Sequence, residues 1–567
     1  MITHTAPISG IAAFQDQMIA TAGYDNQIVL WELPQRTPIS RAFHDHLVNQ
    51  CSFSPDGTRL VTSSSDYSAR LWSIPDLRLT AVLGDHDDDV EMAVFHPTRQ
   101  LVATASRDSL VRVFDFDGRL RHRFAGHTAD VISVEWARDG DGLVTSSDDG
   151  TVKRWSMAHE GLVDDIDLGG VETDTIVVGE DEIIFAGNDS GEILMVGNGT
   201  RTVTSAHKAG VKRLVLNTEL GLLASLSYDR TMALWRIGDT GELTRLSTAD
   251  LPTDVWPRSA AFTGSSRLVF GTFGASYRTY DYQEHRWLDE VVPTTRGVNA
   301  ACAHGDAVLS VGDAGIVWRT LGGVHDEQSR PGSLCNFLTP ATSVVITGGQ
   351  LGTVFDALSG RRLHQHHSPL NTATILHRDG AEHVLVGAYT GEGILLRTGT
   401  EGWAEQVSTF PMHANAIKGV AASDDVIFSV CADGSAAWHS VATLELIHHQ
   451  PKAHSKIANG CVHLGRSRFA SISRDLILRI WDADRTVTVV KTPHRHSIKC
   501  VSADGTGRFV ATGSYDGSIA VYDLLTGTWP VTVRPTASGI SSMAFDVKRD
   551  VFLAGSYDGA VYEVPAP

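Results

Sequence analysis

The sequence has few cysteines, and no two of them lie close together. Six cysteines in 567 residues, with no C-x-x-C pair, argue against a zinc knuckle and against a disulfide framework, so a reducing cytoplasm is the expected location. The first residues lack a basic region followed by an apolar run, which predicts no secretory signal. No stretch approaches the roughly 20 apolar residues that span a bilayer, so no membrane partner is expected.

The sequence also lacks the motifs that carry catalysis. It contains no nucleophile motif, P-loop, dinucleotide fingerprint or zinc-peptidase helix. The glycine pair Gly348-Gly349 falls between predicted strands, with no helix N-terminus after it to hold phosphate. We therefore expect no catalytic residue, no cofactor and no resident metal, and a protein that is not an enzyme.

Positive charge is scarce in the first half of the chain. The net charge is −19, with 26 Lys and Arg against 42 Asp and Glu in residues 1–300 and 21 against 24 in residues 301–567. The first half should repel nucleic acid and anionic lipid. The exception is the segment 451–500, which holds ten Lys or Arg against three Asp. An RNA-associated scaffold that uses this segment stays open as an alternative.

What the sequence does contain is an internal repeat, in a chain too long for a single hydrophobic core. A turn Asp precedes a Trp by six residues, as in Asp25 with Trp31 and Asp66 with Trp72. This motif recurs every 41 to 43 residues in the repeats where it is clear. Short β-branched runs with alternating polarity lie between these marks and predict strands.

A histidine stands upstream of each clear copy and is followed four residues later by an apolar residue, as in His44 with Val48. Together these spacings resemble the WD-repeat family, in which each repeat of about 40–45 residues forms a four-stranded blade. The resemblance implies a buried hydrogen-bonded chain of His, Ser or Thr, Asp and Trp, because a buried indole and a buried imidazole both need partners. The residues assigned to this structural network are His44, Asp66, Trp72, His86, Asp108, His127, Asp149, Trp155, His207, Asp229, Trp235, His454, Asp475 and Trp481.

Counting blade centres from Trp31 to about Val564 gives fourteen. Because single rings hold 4–8 blades, the predicted fold is all-β, with about fourteen WD-type four-stranded blades in two seven-bladed β-propellers, residues 1–292 and 293–567. The tandem arrangement is similar to that of actin-interacting double-propeller proteins. Repeats five and seven to ten lose the His–Trp pattern, so their boundaries rest on spacing alone. The compact sequence, without long insertions, is typical of a bacterial member.

The last repeat ends at its third strand, so it lacks an outer strand of its own. Residues 1–6 precede the first strand of repeat one. We expect these N-terminal residues to supply the missing strand and to close the second ring.

The resemblance also implies where partners bind. In WD-repeat proteins the residue before the turn Asp lies on the narrow top face and commonly touches partners. Three adjacent repeats place Arg474, Tyr515 and Tyr557 there, and Arg and Tyr are enriched in binding hot spots. The first half contributes Tyr24, Tyr228 and Arg107, together with an acidic loop, Asp87, Asp88 and Asp89, that is either solvated or a contact for a basic partner.

The predicted function is a non-enzymatic scaffold or adaptor that presents propeller top faces to protein or peptide partners in a signalling, defence or biosynthetic complex. An alternative is a small-molecule or metal-dependent enzyme that uses a ring channel, with His364, His366 and His367 as candidate ligands. Strand alternation would place His364 and His366 on one face and His367 on the other, which disfavours a shared ion. Nucleic-acid binding is not expected.

Overall fold

The fold is described by a computed structural model that covers residues 2–197, 199–288, 292–398 and 404–567. In these ranges the only helical segment is a short 3-10 turn, Glu180–Glu182. None of the residues in these ranges forms a helix long and apolar enough to cross a membrane. The rest of the regular structure is antiparallel sheet, so the protein is all-β.

The chain divides into two compact units, Met1–Thr295 and Arg296–Pro567. The first unit consists of seven four-stranded sheets, blades 1 to 7, whose strands follow one another in chain order. Their bounds are β1 Ile8–Phe14, β2 Met18–Gly23, β3 Gln27–Glu32, β4 Thr37–Phe43; β5 Val48–Phe53, β6 Arg59–Ser64, β7 Ala69–Ser73, β8 Arg78–Leu83; β9 Val90–Phe95, β10 Leu101–Ser106, β11 Leu110–Asp115, β12 Leu120–Ala125; β13 Val131–Trp136, β14 Gly142–Ser147, β15 Thr151–Ser156, β16 Gly161–Asp167; β17 Thr173–Val178, β18 Ile184–Asn188, β19 Glu192–Gly197, β20 Thr200–Ser205; β21 Val211–Asn217, β22 Leu222–Ser227, β23 Thr231–Ile237, β24 Leu243–Asp250; and β25 Val255–Thr263, β26 Arg267–Thr272, β27 Arg278–Asp281, β28 Arg286–Trp287.

The second unit consists of blades 8 to 14, of which the last has three strands in the part of the chain that the structure describes. Their bounds are β29 Val298–His304, β30 Ala307–Gly312, β31 Val317–Leu321, β32 Val324–Ser329; β33 Cys335–Pro340, β34 Val345–Gly349, β35 Thr353–Asp356, β36 Arg362–Gln365; β37 Leu370–Arg378, β38 Ala381–Ala388, β39 Glu392–Thr398, β40 Ala404–Pro411; β41 Ile417–Ala422, β42 Val426–Cys431, β43 Ala436–Ser440, β44 Leu446–Gln450; β45 Ala458–Gly465, β46 Arg468–Ser473, β47 Ile477–Trp481, β48 Val487–Lys491; β49 Ile498–Ala503, β50 Phe509–Ser514, β51 Ile519–Asp523, β52 Thr528–Val533; and β53 Ile540–Asp546, β54 Val551–Ser556, β55 Val561–Pro565.

Each blade buries its second strand and exposes its fourth. Along β6 only Arg59 is partly exposed, whereas four of the six residues of β8 are exposed. A strand packed on both faces between neighbouring blades needs small or β-branched residues, which explains runs such as the Val61-Thr62-Ser63 of β6. The hydrophobic clusters accordingly form between blades; one joins Leu30 of blade 1 to Leu60 and Trp72 of blade 2.

In both units the first blade packs against the seventh, so each unit is a closed ring. The innermost strand β1 lies beside β5 on one side and β25 on the other, and β29 lies likewise beside β33 and β53. In the first unit the Thr263 hydroxyl donates to the Gln15 carbonyl at 2.8 Å. In the second, the Ser541 hydroxyl donates to the Val298 carbonyl. Each unit is a seven-bladed propeller that needs no strand from elsewhere.

The N-terminal residues lie in the first unit, which contradicts the expectation that residues 1–6 close the second ring. The His4 backbone N–H donates to the Ala275 carbonyl of blade 7 at 3.2 Å. The His4 ring contacts Thr21 and Asp25 of blade 1. These bonds satisfy the buried imidazole and keep the N-terminal residues in the first unit. The last sheet has no fourth strand in the described residues.

The division between the units falls after Thr295 rather than after Val292. The Thr295 hydroxyl donates to the Phe273 carbonyl at 3.0 Å. The Ala275 N–H donates to the Pro293 carbonyl at 2.8 Å. Residues 293–295 therefore still belong to blade 7, and repeats five and seven to ten form four-stranded sheets like the others.

In blades 2, 4, 6 and 12 the assigned network residues meet around one buried hydroxyl. In blade 2 Thr62 Oγ1 lies 2.7 Å from His44 Nε2 and accepts the Trp72 indole N–H at 2.8 Å, while His44 Nδ1 lies 2.8 Å from Asp66 Oδ2. Blades 4, 6 and 12 repeat the arrangement around Thr145, Ser225 and Ser471, using His127, Asp149, Trp155, His207, Asp229, Trp235, His454, Asp475 and Trp481.

Blade 3 departs from this arrangement because a guanidinium enters it. Arg112 Nη1 lies 2.9 Å from His86 Nδ1 and 2.8 Å from Asp108 Oδ2, so His86 and Asp108 are 3.8 Å apart. Burial, aided by the charge of Arg112, lowers the pKa of His86 to about 3. In blade 2, by contrast, the hydrogen bond from His44 holds the pKa of Asp66 well below its usual range despite burial.

Replacing Thr62 with valine tests how much the network contributes to stability. Thr62→Val keeps the shape of the side chain but leaves a buried imidazole and a buried indole without their shared partner, which should cost about 1–3 kcal/mol for each unsatisfied group. Thr202→Val, on the exposed strand β20, is the matched control. Denaturant unfolding should separate the two variants, and equal stability would show that the network does not hold the blade.

Candidate functional site

One residue in each blade is turned toward the axis of its ring by a β-bulge. In nearly every blade the pairing of the first and second strands shifts by one residue just after the first strand begins, and in blade 7 the shift spans residues 256–259. A bulge re-aims a side chain out of the regular pleat. We call these positions axial; they are Ser9, Asn49, Glu91, Ile132, Asp174, Lys212 and Trp256 in the first unit and Asn299, Asn336, Asn371, Lys418, Asn459, Lys499 and Ser541 in the second.

A second set of side chains lies where the axial strand begins. The residue before each turn Asp donates its backbone N–H to the residue that precedes the first strand of the same blade, as Arg107 does to Asp89 at 2.9 Å and Tyr515 to Ser497 at 3.1 Å. The turn between the second and third strands is thus fastened to the loop that leads into the first. We call this end of each ring its top edge.

In the first unit the top edge is acidic, with its cations already paired. Arg107 forms ion pairs with Glu91 and with Asp130. Axial Lys212 forms ion pairs with Asp174 and Asp189 of blade 5. The remaining carboxylates around them, including Asp88, Asp148 and Glu172, leave an excess of negative charge at this edge.

Several acidic groups at this edge have shifted pKa values. Burial raises the pKa of Asp148 well above its usual range, and the neighbouring carboxylates Glu172 and Asp130 add to the effect. Burial also raises the pKa of Asp189, to about 6. Unlike these, Asp174 has a lowered pKa, because the charges of Lys212 and Arg258 and its hydrogen bonds to Asp189 and Lys212 together outweigh its burial. Crowded carboxylates with raised pKa values are typical of functional sites.

The structure corrects three of the contact residues expected in the first unit. Tyr228 is buried, with the Lys212 ammonium 5.1 Å from its ring centroid. Asp88 and Asp89 are also buried, so only Asp87 of that acidic loop is exposed. This loop leads into the first strand in the interior of the ring, so it cannot leave all its side chains in solvent. The composition of the segment did not reveal that path. These three residues offer little surface to a partner.

The other two contact residues of the first unit are half-buried. Tyr24 packs edge-on against Trp256, with ring centroids 5.1 Å apart. Arg107 is held by its two carboxylates, as described above. Both lie at the top edge, but only Tyr24 presents an aromatic surface there.

In the second unit Arg474, Tyr515 and Tyr557 lie on consecutive blades and are all half-buried. The rings of Tyr515 and Tyr557 are nearly parallel, 16° apart, with centroids separated by 6.2 Å. The Lys499 ammonium lies 6.0 Å from the Tyr515 centroid. Blades 12 to 14 thus place a guanidinium, an ammonium and two aromatic rings along one stretch of the top edge.

Two groups of side chains have the composition of a metal site in the described residues, His366–His367–Glu392 and His413–Cys431–Asp433. His366 Nε2 lies 3.2 Å from Glu392 Oε2, and His367 Nε2 lies 3.9 Å from the same oxygen. The strand β36 ends at Gln365, so His366 and His367 lie beyond it, and the alternation of side chains along a strand does not place them on opposite faces. His364 stays on that strand, paired with Val354, so the expected cluster of three histidines does not form.

Sequence reasoning missed two histidines at the network position, of which only His4 makes the network contacts. His4 and His366 each stand four residues before the first strand of a blade, at Ile8 and Leu370. His4 Nε2 lies 2.8 Å from Thr21 Oγ1, which accepts the Trp31 indole. The same four-residue spacing that identified His44 would have found both. The axial residues carry no such signal, because a one-residue bulge is invisible in an alternating pattern.

Comparison with known proteins agrees with this geometry. The profile of the family described as "WD domain, G-beta repeat" matches residues 37–73, 77–115, 118–156 and 487–523. The chain contains repeats of this family. Each matched segment begins on or just before the outer strand of one blade and ends on the third strand of the next, so a repeat in sequence joins two neighbouring blades.

Three curated relatives show how far the likeness extends. The Arabidopsis thaliana transcriptional corepressor LEUNIG_HOMOLOG is 23% identical over 40% of this chain and 34% of its own. Human WD repeat-containing protein 37 is 36% identical over 22% of this chain and 26% of its own. The guanine nucleotide-binding protein subunit beta of Oryza sativa subsp. japonica is 25% identical over 39% of this chain and 66% of its own. The chain thus spans about a third or less of the first two relatives.

The WD-repeat protein should gain stability when Asp148 loses its charge. The raised pKa means that folded Asp148 binds its proton more tightly than the unfolded side chain, whose pKa is about 3.9. Stability therefore falls as pH rises above that value through the folded pKa. Asp148→Asn should raise the melting temperature at pH 8 by on the order of 2 °C, with the gap closing near pH 4.

The matched control for that change is Asp164→Asn, on the exposed strand β16. It removes the same charge far from the crowded carboxylates and should leave the melting temperature within error at both pH values. If Asp148→Asn were less stable than the natural protein at pH 8, the acidic edge would not be under electrostatic strain.

Proposed function

We propose that this WD-repeat protein is a non-enzymatic scaffold that holds partner proteins or peptides on the top edges of its two rings. The observation that carries the proposal is the alignment of Arg474, Tyr515 and Tyr557 on three consecutive blades. Tyr supplies a large contact area with few rotatable bonds, and both Tyr and Arg are enriched in binding hot spots. A role in holding proteins together is also the kind of function that the names of the WD-repeat relatives suggest.

The two units should select different partners. The crowded carboxylates of the first unit favour a basic segment, because a cation would offset the burial and the neighbouring carboxylates that together raise the pKa of Asp148. The second unit presents Arg474 and Lys499 beside aromatic rings and favours an acidic segment. Such a pair of surfaces would let one chain hold two unlike partners, as an adaptor in a signalling, defence or biosynthetic complex does.

Nucleic-acid binding is a weaker candidate, although segment 451–500 is basic. Arg466 and Arg485 lie in turns at the end of blade 12 opposite its top edge, and Arg479 is bound to Asp475 at 2.8 Å within the network. A nucleic-acid surface needs its cations on one face. Only part of the segment, including Lys456 and Arg474, lies at the top edge.

An enzyme based on His366, His367 and Glu392 is also less well supported. His366 occupies the network position of blade 10, so its place has a structural explanation.

We propose a reducing compartment such as the cytoplasm for the protein. Burial raises the pKa of Cys302, Cys335 and Cys500 to about 12, which keeps these thiols protonated and unreactive.

Removing the two tyrosines tests the scaffold proposal. The double variant Tyr515→Ala/Tyr557→Ala should retain the fold but capture protein partners from the native host at least about tenfold less, since each hot-spot side chain contributes about 2 kcal/mol or more. The measurement is quantitative affinity purification with mass spectrometry.

The matched control is Leu525→Ala, which removes an apolar side chain that is 76% exposed. It lies in the turn after β51, at the opposite edge of the same blade as Tyr515. Melting curves of both variants check the fold. If the double variant captured the same proteins as Leu525→Ala in the same amounts, the binding surface would lie elsewhere.

A further inference from the structure

The axial residues of the second unit fasten neighbouring blades together. The Asn336 amide donates to the Leu370 carbonyl at 2.8 Å, Asn371 to Ile417 at 3.0 Å and Asn459 to Ile498 at 2.7 Å. Asn299 and Ser541 make the same contact. In each case the acceptor is the first residue of the next axial strand. Five of the seven blades therefore carry an axial side chain that ties them to the next blade.

The two exceptions are both lysines, Lys418 of blade 11 and Lys499 of blade 13. A lysine ammonium is a strongly hydrated point charge, and holding it inside a ring gives up the amide-to-carbonyl bond that the other blades make. Each ammonium lies near the face of a top-edge tyrosine, 5.4 Å from the Tyr389 centroid and 6.0 Å from the Tyr515 centroid. These two positions thus carry a positive charge where the other five blades carry a neutral amide or hydroxyl.

The first unit shows how such a lysine is neutralised from within. Axial Lys212 is bound by the axial residue of the preceding blade, Asp174, and by the top-edge residue of that blade, Asp189. For Lys418 the two corresponding residues are Asn371 and Tyr389. For Lys499 they are Asn459 and Arg474. The positions that supply carboxylates to Lys212 supply none to either lysine of the second unit.

Both lysines line a single cavity of about 110 Å³ on the axis of the second unit. The described residues that line it include no carboxylate: besides the lysines they are the four asparagines, Ser541 and Tyr557. Just outside this lining, the Asp313 carboxylate accepts the Asn299 amide at 2.9 Å. Each asparagine amide carries two N–H donors, and Asn336, Asn371 and Asn459 use one of them on the next blade.

We propose that this cavity binds a phosphate group, between the ammonium groups of Lys418 and Lys499 and within reach of asparagine N–H and tyrosine O–H donors. Phosphate carries close to two negative charges at neutral pH and three strong acceptor oxygens, which matches two cations and a ring of neutral donors. A carboxylate has one charge and pairs best with the planar fork of arginine, whereas lysine binds phosphate as a point charge. The phosphate comes either from a small molecule or from a phosphorylated side chain of a partner.

Calorimetric titration at constant ionic strength tests the site with defined probes. Inorganic phosphate should bind the full chain in a 1:1 ratio, and sodium acetate at the same ionic strength should give no saturable heat. A phosphoserine hexapeptide and its unphosphorylated form make up the second arm. Tighter binding of the phosphopeptide than of inorganic phosphate assigns the group to a protein partner, and equal binding assigns it to a small molecule.

The variants Lys418→Asn and Lys499→Asn place at each position the residue that the neighbouring blades use, so the fold is expected to be kept. Each should weaken phosphate binding at least tenfold, and the double variant should abolish it. Lys491→Asn removes the same charge from the exposed end of β48 and should bind phosphate as the natural protein does.

Absence of saturable binding in both arms would overturn the proposal, as would undiminished binding by the double variant or acetate binding as tight as that of phosphate. Because the first arm contains no partner protein, its outcome does not depend on docking at Tyr515 and Tyr557. Failure of the phosphate site and failure of the scaffold proposal are therefore distinguishable.

Discussion

In the blades that keep it, the buried hydroxyl at the centre joins the segments on which the shape of the blade depends. Thr62 lies on the second strand, yet it contacts the imidazole of the loop that leads into the first strand and the indole of the third. One small side chain thus joins three segments away from water, where a lost hydrogen bond is most costly. The turn Asp then fixes the far side of the imidazole. Since the top edge is held from beneath, its own side chains are not needed to keep its shape.

The separation between the buried groups that hold a blade and the side chains at its top edge explains how two units with one fold carry opposite charge. The bulge at the start of each axial strand turns a side chain inward whatever its chemistry. In the first unit it presents Glu91 and Asp174, and in the second Lys418 and Lys499. Some of these charges pair across blades, as Lys212 does with Asp174, but the bulge holds side chains of either charge, so a few substitutions at axial and top-edge positions are enough to change the charge that a ring presents. The fold alone does not assign a function.

The same separation between periodic network positions and axial positions limits what could be predicted from the sequence. The strand pattern and the His, Asp and Trp spacings are periodic, so they predicted the all-β fold and the fourteen blades, including those without the network. His366 was missed because it was grouped with His364 and His367 by proximity in sequence rather than aligned with His44. The gathering of the axial residues could not be predicted, because it depends on a one-residue change of register that leaves alternation almost intact. The burial of Asp88 and Asp89 depends on the path of their loop into the ring, which their composition does not reveal.

The distribution of inter-blade contacts indicates why the lysines occur where they do. Blades 8, 9 and 10 have lost the His–Trp network, and each carries an axial asparagine bonded to the next blade. Blades 11 and 13 carry the lysines, and both keep the central histidine contact, His413 to Ser429 and His494 to Thr512, each at 2.8 Å. A hydrogen bond of either kind contributes about 1 kcal/mol. A blade of the second unit thus keeps at least one of the two contacts, and an axial charge replaces the asparagine only where the buried hydroxyl still holds the blade.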